Sequence, residues 1–461
     1  MFAATVAVAR LAVLSAIRSR LFITLIVVLL VTVAGLPLTV RGDGTIEGQI
    51  RVALVYTLGL ASFILTLATL WASCGAVSQE IQERQIQLIV TKPVHRVAVW
   101  LGKWLGLLFM NAVLLVFSGA VVYGLVRWQT RPSAVSAEDA RKLREEILIG
   151  RLPLEPHARS LDDEAHRRLQ QMIAEGVVAR EAPHGEAIAE VRRRIQAEDS
   201  TVGPGRTRQW VFDPPPRIAP GTAVALRYRL SSPTRYRTPV SGTWIVGPPG
   251  AAERFSAAVT HEVGGVHRLV IPSRFIRGGA PLTVEFANGP QAQSSTAVFD
   301  MDRGVELLID ESGFEANLAR GLLVVFCRLA LVAAIGMTAG SIFSFPVATF
   351  IALSLLVSAG LVHVFTVTSF EGCGCGMDEV AGQTTLMQAV GERLIERLSG
   401  VVEPVMRMNP LSTLGEGLLV SWGMTVRAVG LMLVLYPALL GGFSGWALRR
   451  RELALPGAGG G

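Results

Sequence analysis

The 461 residues are 51% hydrophobic and only 17% charged, with a mean hydropathy of +0.46. That balance excludes an ordinary soluble chain and places the protein in the membrane class. The formal charge of +7 does not indicate nucleic acid, because the basic residues form no single stripe and many sit at the ends of apolar runs.

Residues 2–19 are mostly apolar with interspersed arginines. An amphipathic helix in the membrane interface and a simple extension of the first span fit this spacing equally. The run from Leu21 to Val40 follows Arg10, Arg18 and Arg20 and has no small-residue cleavage site. A retained first helix is therefore expected, not a signal peptide. Spanning a hydrocarbon core of ~30 Å takes about 20 apolar residues. Further runs of that kind lie at 53–77, 98–126, 321–342, 345–367 and 428–448, which makes six expected spans. The fourth and fifth are broken at Ser344-Phe345-Pro346. Pro346 suits the first turn of a new helix, so a tight hairpin is expected there.

Orientation follows from the short loops. Arg18 and Arg20, then Lys92, His95, Arg96 and Lys103, then Arg449, Arg450 and Arg451 all fall on one side of six spans. The positive-inside rule makes that side cytoplasmic, with both termini inside and with residues 128–317 and the loop 368–427 outside. Arg393, Arg397 and Arg407 in that loop oppose a simple count, but long loops obey the rule poorly. Arg328 is expected near the outer part of the fourth span, snorkelling to the interface, with a substrate-facing charge as the alternative.

The expected fold class is thus a mainly α membrane protein with a large extracytoplasmic α+β insert between helices 3 and 4. Its first part, residues 128–207, shows helical periodicity from Ser136 to about Glu198. Cap signals stand at Ser136 and Ser160, and Pro153, Pro156 and Pro183 act as separators. Its second part, residues 208–317, alternates: Val224, Leu226, Tyr228 and Leu230 interleave with Ala225, Arg227 and Arg229, and Leu282, Val284 and Phe286 with Thr283 and Glu285. Period-two patterning broken by Gly/Pro turns predicts a small antiparallel β-sandwich of seven or eight strands. His261 and His267 have no Cys or acidic cluster at ligand spacing and read as surface histidines.

The most informative stretch is the short loop 78–96, between the second and third expected spans. Ile81, Ile86, Leu88 and Ile89 give it an apolar helical face, Glu80, Glu83 and Arg84 keep it soluble, and Pro93 ends the helix. A short charged helix at the cytoplasmic surface suits the docking of another protein, since motion there moves two attached spans as a unit.

Glu80, Glu83, Pro93, Arg96, Gly102 and Lys103 in this order resemble the coupling-helix region of type-2 ABC transporter permeases. The segment ending at Phe22 resembles that family's interfacial helix. The likeness covers residues 1–127 and, through the helix plan, the last three spans in 318–461. It is nearest to permeases of the nitrous-oxide-reductase maturation and gliding-motility type, and it does not cover the external domain. Gln85 stands where the family usually has a small residue or Thr, so atomic details of docking do not transfer. The resemblance implies a homodimer or paired permease in a bacterial inner membrane. It also implies an ABC ATPase subunit docked on Glu80, Glu83, Arg84, Lys92, Pro93, Arg96 and Lys103. No G-x-x-x-x-G-K-[ST] phosphate loop occurs in the chain, so ATP is expected on the partner and no cofactor or enzymatic activity here.

Of the four cysteines, Cys74 and Cys327 lie in apolar segments and give no disulfide framework. Cys373 and Cys375 offer two thiolates to a soft metal. Two ligands are an incomplete site, and the flanking glycines account for a turn, so no metal is expected. Leu386, Val390, Leu394 and Ile395 predict a helix across the outer mouth. The competing functional class is a non-transporting membrane-anchored scaffold or sensor working through its external domain, but it leaves the coupling loop without a role. A secondary transporter is disfavoured by the lack of intramembrane acidic residues.

Overall fold

The computed structural model describes residues 2–18, 20–39, 52–82, 96–129, 149–157, 161–176, 184–215, 224–231, 239–251, 253–262, 264–276, 279–290, 294–299, 304–370 and 408–450. The helices in chain order are α1 Phe2–Arg18, α2 Arg20–Thr39, α3 Leu58–Gln82 (entered through a π turn, Val52–Thr57), α4 Arg96–Gln129, α5 Leu161–Ala174, α6 His184–Ser200, α7 Phe314–Ile342, α8 Phe345–Phe370, α9 Pro410–Gly415, α10 Trp422–Ala428 and α11 Tyr436–Arg450. A π segment, Val429–Leu435, joins the last two into one helix. The chain divides into two units, residues 1–150 with 313–461, and residues 151–312.

The first unit is helical. Four helices are long and apolar enough to cross a membrane: Leu54–Gln82, Val97–Trp128, Phe314–Ile342 and Trp422–Ala447. The other two expected runs also lie on helices, α2 and α8, whose apolar stretches over fully described residues are the shorter Ile23–Val33 and Phe345–Leu361. Two starts differ from expectation. The fourth helix begins at Phe314, seven residues before the apolar run, because its first turns carry the polar Glu315, Asn317 and Arg320. The last begins at Trp422, where the Ser421 hydroxyl accepts from the Met424 amide at 3.2 Å and caps it. Pro346 stands in the first turn of α8, two residues beyond the gap that ends α7, as the hairpin reading requires.

The central helix of this unit is α7, with 67% of its apolar window buried against 22% for the last helix. Burial follows from its small residues. A β-carbon on Gly336 would fall 1.9 Å from Ser73 Oγ, and one on Gly340 would fall 2.5 Å from the Cys74 carbonyl oxygen. Lipid tails are as apolar as leucine, so close backbone approach is what holds helices α3 and α7 together. At the polar start of α7, buried Asn317 donates to the Leu418 carbonyl and accepts from the Val420 amide, both at 2.8 Å. It thereby satisfies the backbone between α9 and α10.

The second unit is β-rich. Its strands are β1 Ile149–Leu154 (whose first two residues belong to the helical unit), β2 Thr201–Val202, β3 Thr207–Phe212, β4 Val224–Ser231, β5 Val240–Gly247, β6 Phe255–His261, β7 Val266–Ile271, β8 Leu282–Asn288, β9 Ala297–Phe299 and β10 Val305–Gly313. One sheet runs β1-β10-β4-β9-β2 with β7 also paired to β4; the other runs β3-β8-β5-β6. Alternating residues of both sheets meet in one core around Phe212, Tyr228, Trp244, Phe286 and Phe299. Helices α5 and α6 pack on each other through Ala165, Leu169, Val191 and Ile195.

The stretch expected to be purely helical contains β1. Arg151, buried on this strand, pairs with Asp310 of β10 at 2.7 Å, and Pro153, which cannot donate to a ladder, is tolerated because β1 is an edge strand. The helical period around it belongs to α5, which begins one residue after Ser160, and to α6.

Burial pushes the Tyr228 phenol up to about 12. An unfolded tyrosine ionises near ~10, so between about pH 10 and pH 12 the unfolded chain sheds a proton that the folded one keeps. The stabilising contribution is therefore whole below pH 10 and falls as pH rises through that window. A phenolate absorbance titration is expected to show one of the five tyrosines ionising about two pH units late, and Tyr228→Phe is expected to remove that step.

Candidate functional site

The loop-side ends of α3 and α4 carry the predicted residues that the structure describes. Glu80 stands in the last turn of α3 and Lys103 in the second turn of α4, and their charged ends form an ion pair. The Lys103 side chain is 8% exposed and that of Glu80 29%. The ammonium also donates to the Ala76 carbonyl of α3. A lysine so enclosed is stable as a cation only because carboxylate and carbonyl replace its lost water.

Around the pair, the first three turns of α4 grip four other helices. Its glycine face meets α1: a β-carbon on Gly102 would lie 2.7 Å from the Thr5 carbonyl oxygen, and one on Gly106 2.8 Å from Ala12 Cβ. Its next face meets α11, where Gly441 admits the Trp100 ring and Gly445 admits Val97; added β-carbons would lie 2.7 and 2.8 Å away. Trp104 stacks on Trp100 at 6.0 Å and donates its indole N–H to the Ala330 carbonyl of α7 at 3.0 Å. Val77, Leu108, Ala333, Ala334 and Met337 close the cluster. Glu80 and Lys103 supply the fourth attachment, to α3. Two Gly-x-x-x-Gly pairs, one on each side of the contact, let backbones approach so closely that α4 has little freedom to shift alone.

Arg96 is the first residue of α4. Glu83, Arg84, Lys92 and Pro93, together with Cys373, Cys375 and the helix expected over 383–398, lie outside the described residues. Arg328 does not stand near one end of its span: it is the fifteenth of the 29 residues of α7, half-buried and with interaction partners. The early start of α7 moves it to mid-helix.

Sequence reading missed Trp100, Trp104, Gly441 and Gly445. The Gly-x-x-x-Gly spacing of 102/106 and 441/445 was the available signal, hidden among many membrane glycines. No protein-family model, no curated protein and no solved structure matches this chain.

Proposed function

We propose that this chain is the membrane-spanning permease subunit of an ATP-binding-cassette transporter, driven by an ATPase on a separate chain that docks on the loop 78–96. In this reading α2 and α8 complete six spans in a bacterial inner membrane, both termini are cytoplasmic, and the β-rich unit is an extracytoplasmic sandwich that engages cargo or a partner protein.

The observation that supports it best is the grip of α4 on its neighbours. A docked ATPase exerts force on a short loop, and that force does work across the membrane only if the loop's attachment is stiff. The Glu80–Lys103 pair clamps the two helices that flank the loop, and the glycine and tryptophan contacts pass any displacement of α4 to α1, α7 and α11. Packed helices with two discrete arrangements transmit such motion; soft ones absorb it. A mere membrane anchor needs no clamp beside a charged loop.

The test is co-purification from the native membrane with an ABC ATPase, identified by its Walker A phosphate loop. The native protein is expected to retain the ATPase, and Glu83→Ala with Arg84→Ala is expected to release it by about tenfold or more, as loss of a charged docking contact does. Capture unchanged by the double substitution, or no capture by the native chain, overturns the reading.

A further inference from the structure

Among the described strands that end a sheet in the β-rich unit, all but one are blunted. β1 carries Pro153, and β2 is two residues long. β3 exposes Val211, but its end is occupied: the Val211 carbonyl accepts from the His157 amide at 2.7 Å, and Phe212 bridges to Pro156. β6 exposes only Ser256, Ala258 and Thr260. β7, whose described partner is β4 alone, exposes Val266 by 54% and Val270 by 62%. Proteins blunt sheet edges because an apolar edge recruits another strand.

The backbone of β7 is turned to do so. The Arg229 amide donates to the Gly304 carbonyl, just before β10, at 3.0 Å, and the Leu230 carbonyl accepts from the Gly264 amide, just before β7, at 2.8 Å. In an antiparallel ladder the N–H and C=O of one residue point to the same neighbour, and the neighbour alternates along the strand. Tyr228, Leu226 and Val224 therefore bond their register partners His267, Leu269 and Ile271. Val266, Arg268 and Val270 turn their backbone groups away from β4, and their side chains share a face with Arg229, Arg227 and Ala225. On that face Glu306 is paired with Arg227 at 2.9 Å, and Arg229 and Arg268 leave the strip positively charged.

A second copy fits this edge poorly. Antiparallel pairing of two β7 strands over their full length sets Arg268 against Arg268, and like charges directly opposite destabilise. Sliding the strands by two residues parts the arginines but sets Val266 against Pro272, or Val270 against Gly264, beyond the strand. We propose that β7 docks an extended segment of a partner protein, added as a further strand, whose side chains on this face read apolar, acidic, apolar at every second position. The acid meets Arg268 and Arg229, and the apolar residues cover Val266 and Val270. Main-chain bonds supply the affinity and the alternate side chains the selectivity. The inference concerns the β-rich unit alone and stands independently of the permease reading.

The probe is a fluorescein-labelled peptide, T-V-T-E-T-V-T, titrated against the full chain in detergent micelles and followed by anisotropy, with T-V-T-K-T-V-T as control. The glutamate peptide is expected to bind below about 1 mM, and the lysine peptide about tenfold more weakly. Arg268→Glu is expected to invert this preference, which loss of a merely structural arginine would not do. Val270→Pro deletes an edge N–H but no bond to β4. It is expected to weaken the glutamate peptide about fivefold, with the circular dichroism spectrum unchanged. Equal binding of the two peptides, binding indifferent to both substitutions, or no binding by the parent chain overturns the proposal. No binding, with a sedimenting mass that Val270→Pro halves, assigns the edge to a second copy instead.

Discussion

Glu80→Ala is expected to destabilise the helical unit by about 3 kcal/mol, the lower end of the cost of stripping a buried charge of its partner. Lys103 is the reason. Its side chain is 8% exposed, so without the carboxylate it keeps only the Ala76 carbonyl. Glu80 itself is 29% exposed, and water reaching the vacated space keeps the loss from being larger. Lys103→Met removes the charge as well as the pairing and fills similar volume. The Glu80→Ala/Lys103→Met double variant is therefore expected to recover most of the loss, since a packed apolar pair matches or exceeds a buried ion pair. Unfolding of the four proteins in mixed detergent micelles gives the cycle. A coupling of about 2 kcal/mol or more is expected, and simple additivity of the two single changes contradicts the clamp.

Trp244→Ala is expected to cost the β-rich unit about 3–5 kcal/mol, the usual loss when a buried tryptophan leaves a cavity. Trp244 is fully buried on β5. Its ring sits 4.8 Å from Tyr228 and Phe286, 5.7 Å from Trp210 and 5.8 Å from Phe299, so it joins strands of both sheets. The gap cannot close easily. Phe286 already lies against Gly242, where an added β-carbon would stand 2.4 Å from its ring. Hydrogen exchange at the amides of β5 and β8 is the measurement: protection there is expected to fall about a hundredfold or more. Trp244→Phe, which keeps an aromatic plate in the core, is expected to lose less than half as much. Protection unchanged in the alanine variant contradicts the packing described.

The two readouts are separable because Glu80 and Trp244 lie in different compact units. On the permease proposal, loss of stability in one unit with ATPase capture retained shows that the partner does not need that unit. The permease proposal requires the clamp on α3 and α4 and places no such demand on the core around Trp244.

Much was legible along the chain, and the reason is periodicity. A helix in lipid must satisfy its own backbone and face apolar surroundings, so spans are written as long apolar runs whatever they pack against. A strand with one buried face must alternate, and Val224, Leu226, Tyr228 and Leu230 do, each now buried on β4. These local demands were enough to place the four long apolar helices and the strands β4 and β8, and to expect seven or eight strands where eight described ones lie between residues 207 and 313. They were not enough for β1, whose edge position excuses Pro153, or for the polar first turns of α7.

The sequence by itself therefore determined the membrane class, the order of helical and β-rich segments, and the charged loop beside Glu80. The tertiary structure alone decided which residues act together. Glu80 meets Lys103 across the loop 83–95, Gly441 and Gly445 receive Trp100 and Val97 from more than 300 positions away, and His261 stacks on His267 over Tyr228. Such pairings leave no period in the sequence, because each is one contact made by the packing of whole elements. A short charged or aromatic residue reads the same whether its partner is water or a side chain brought back by the fold.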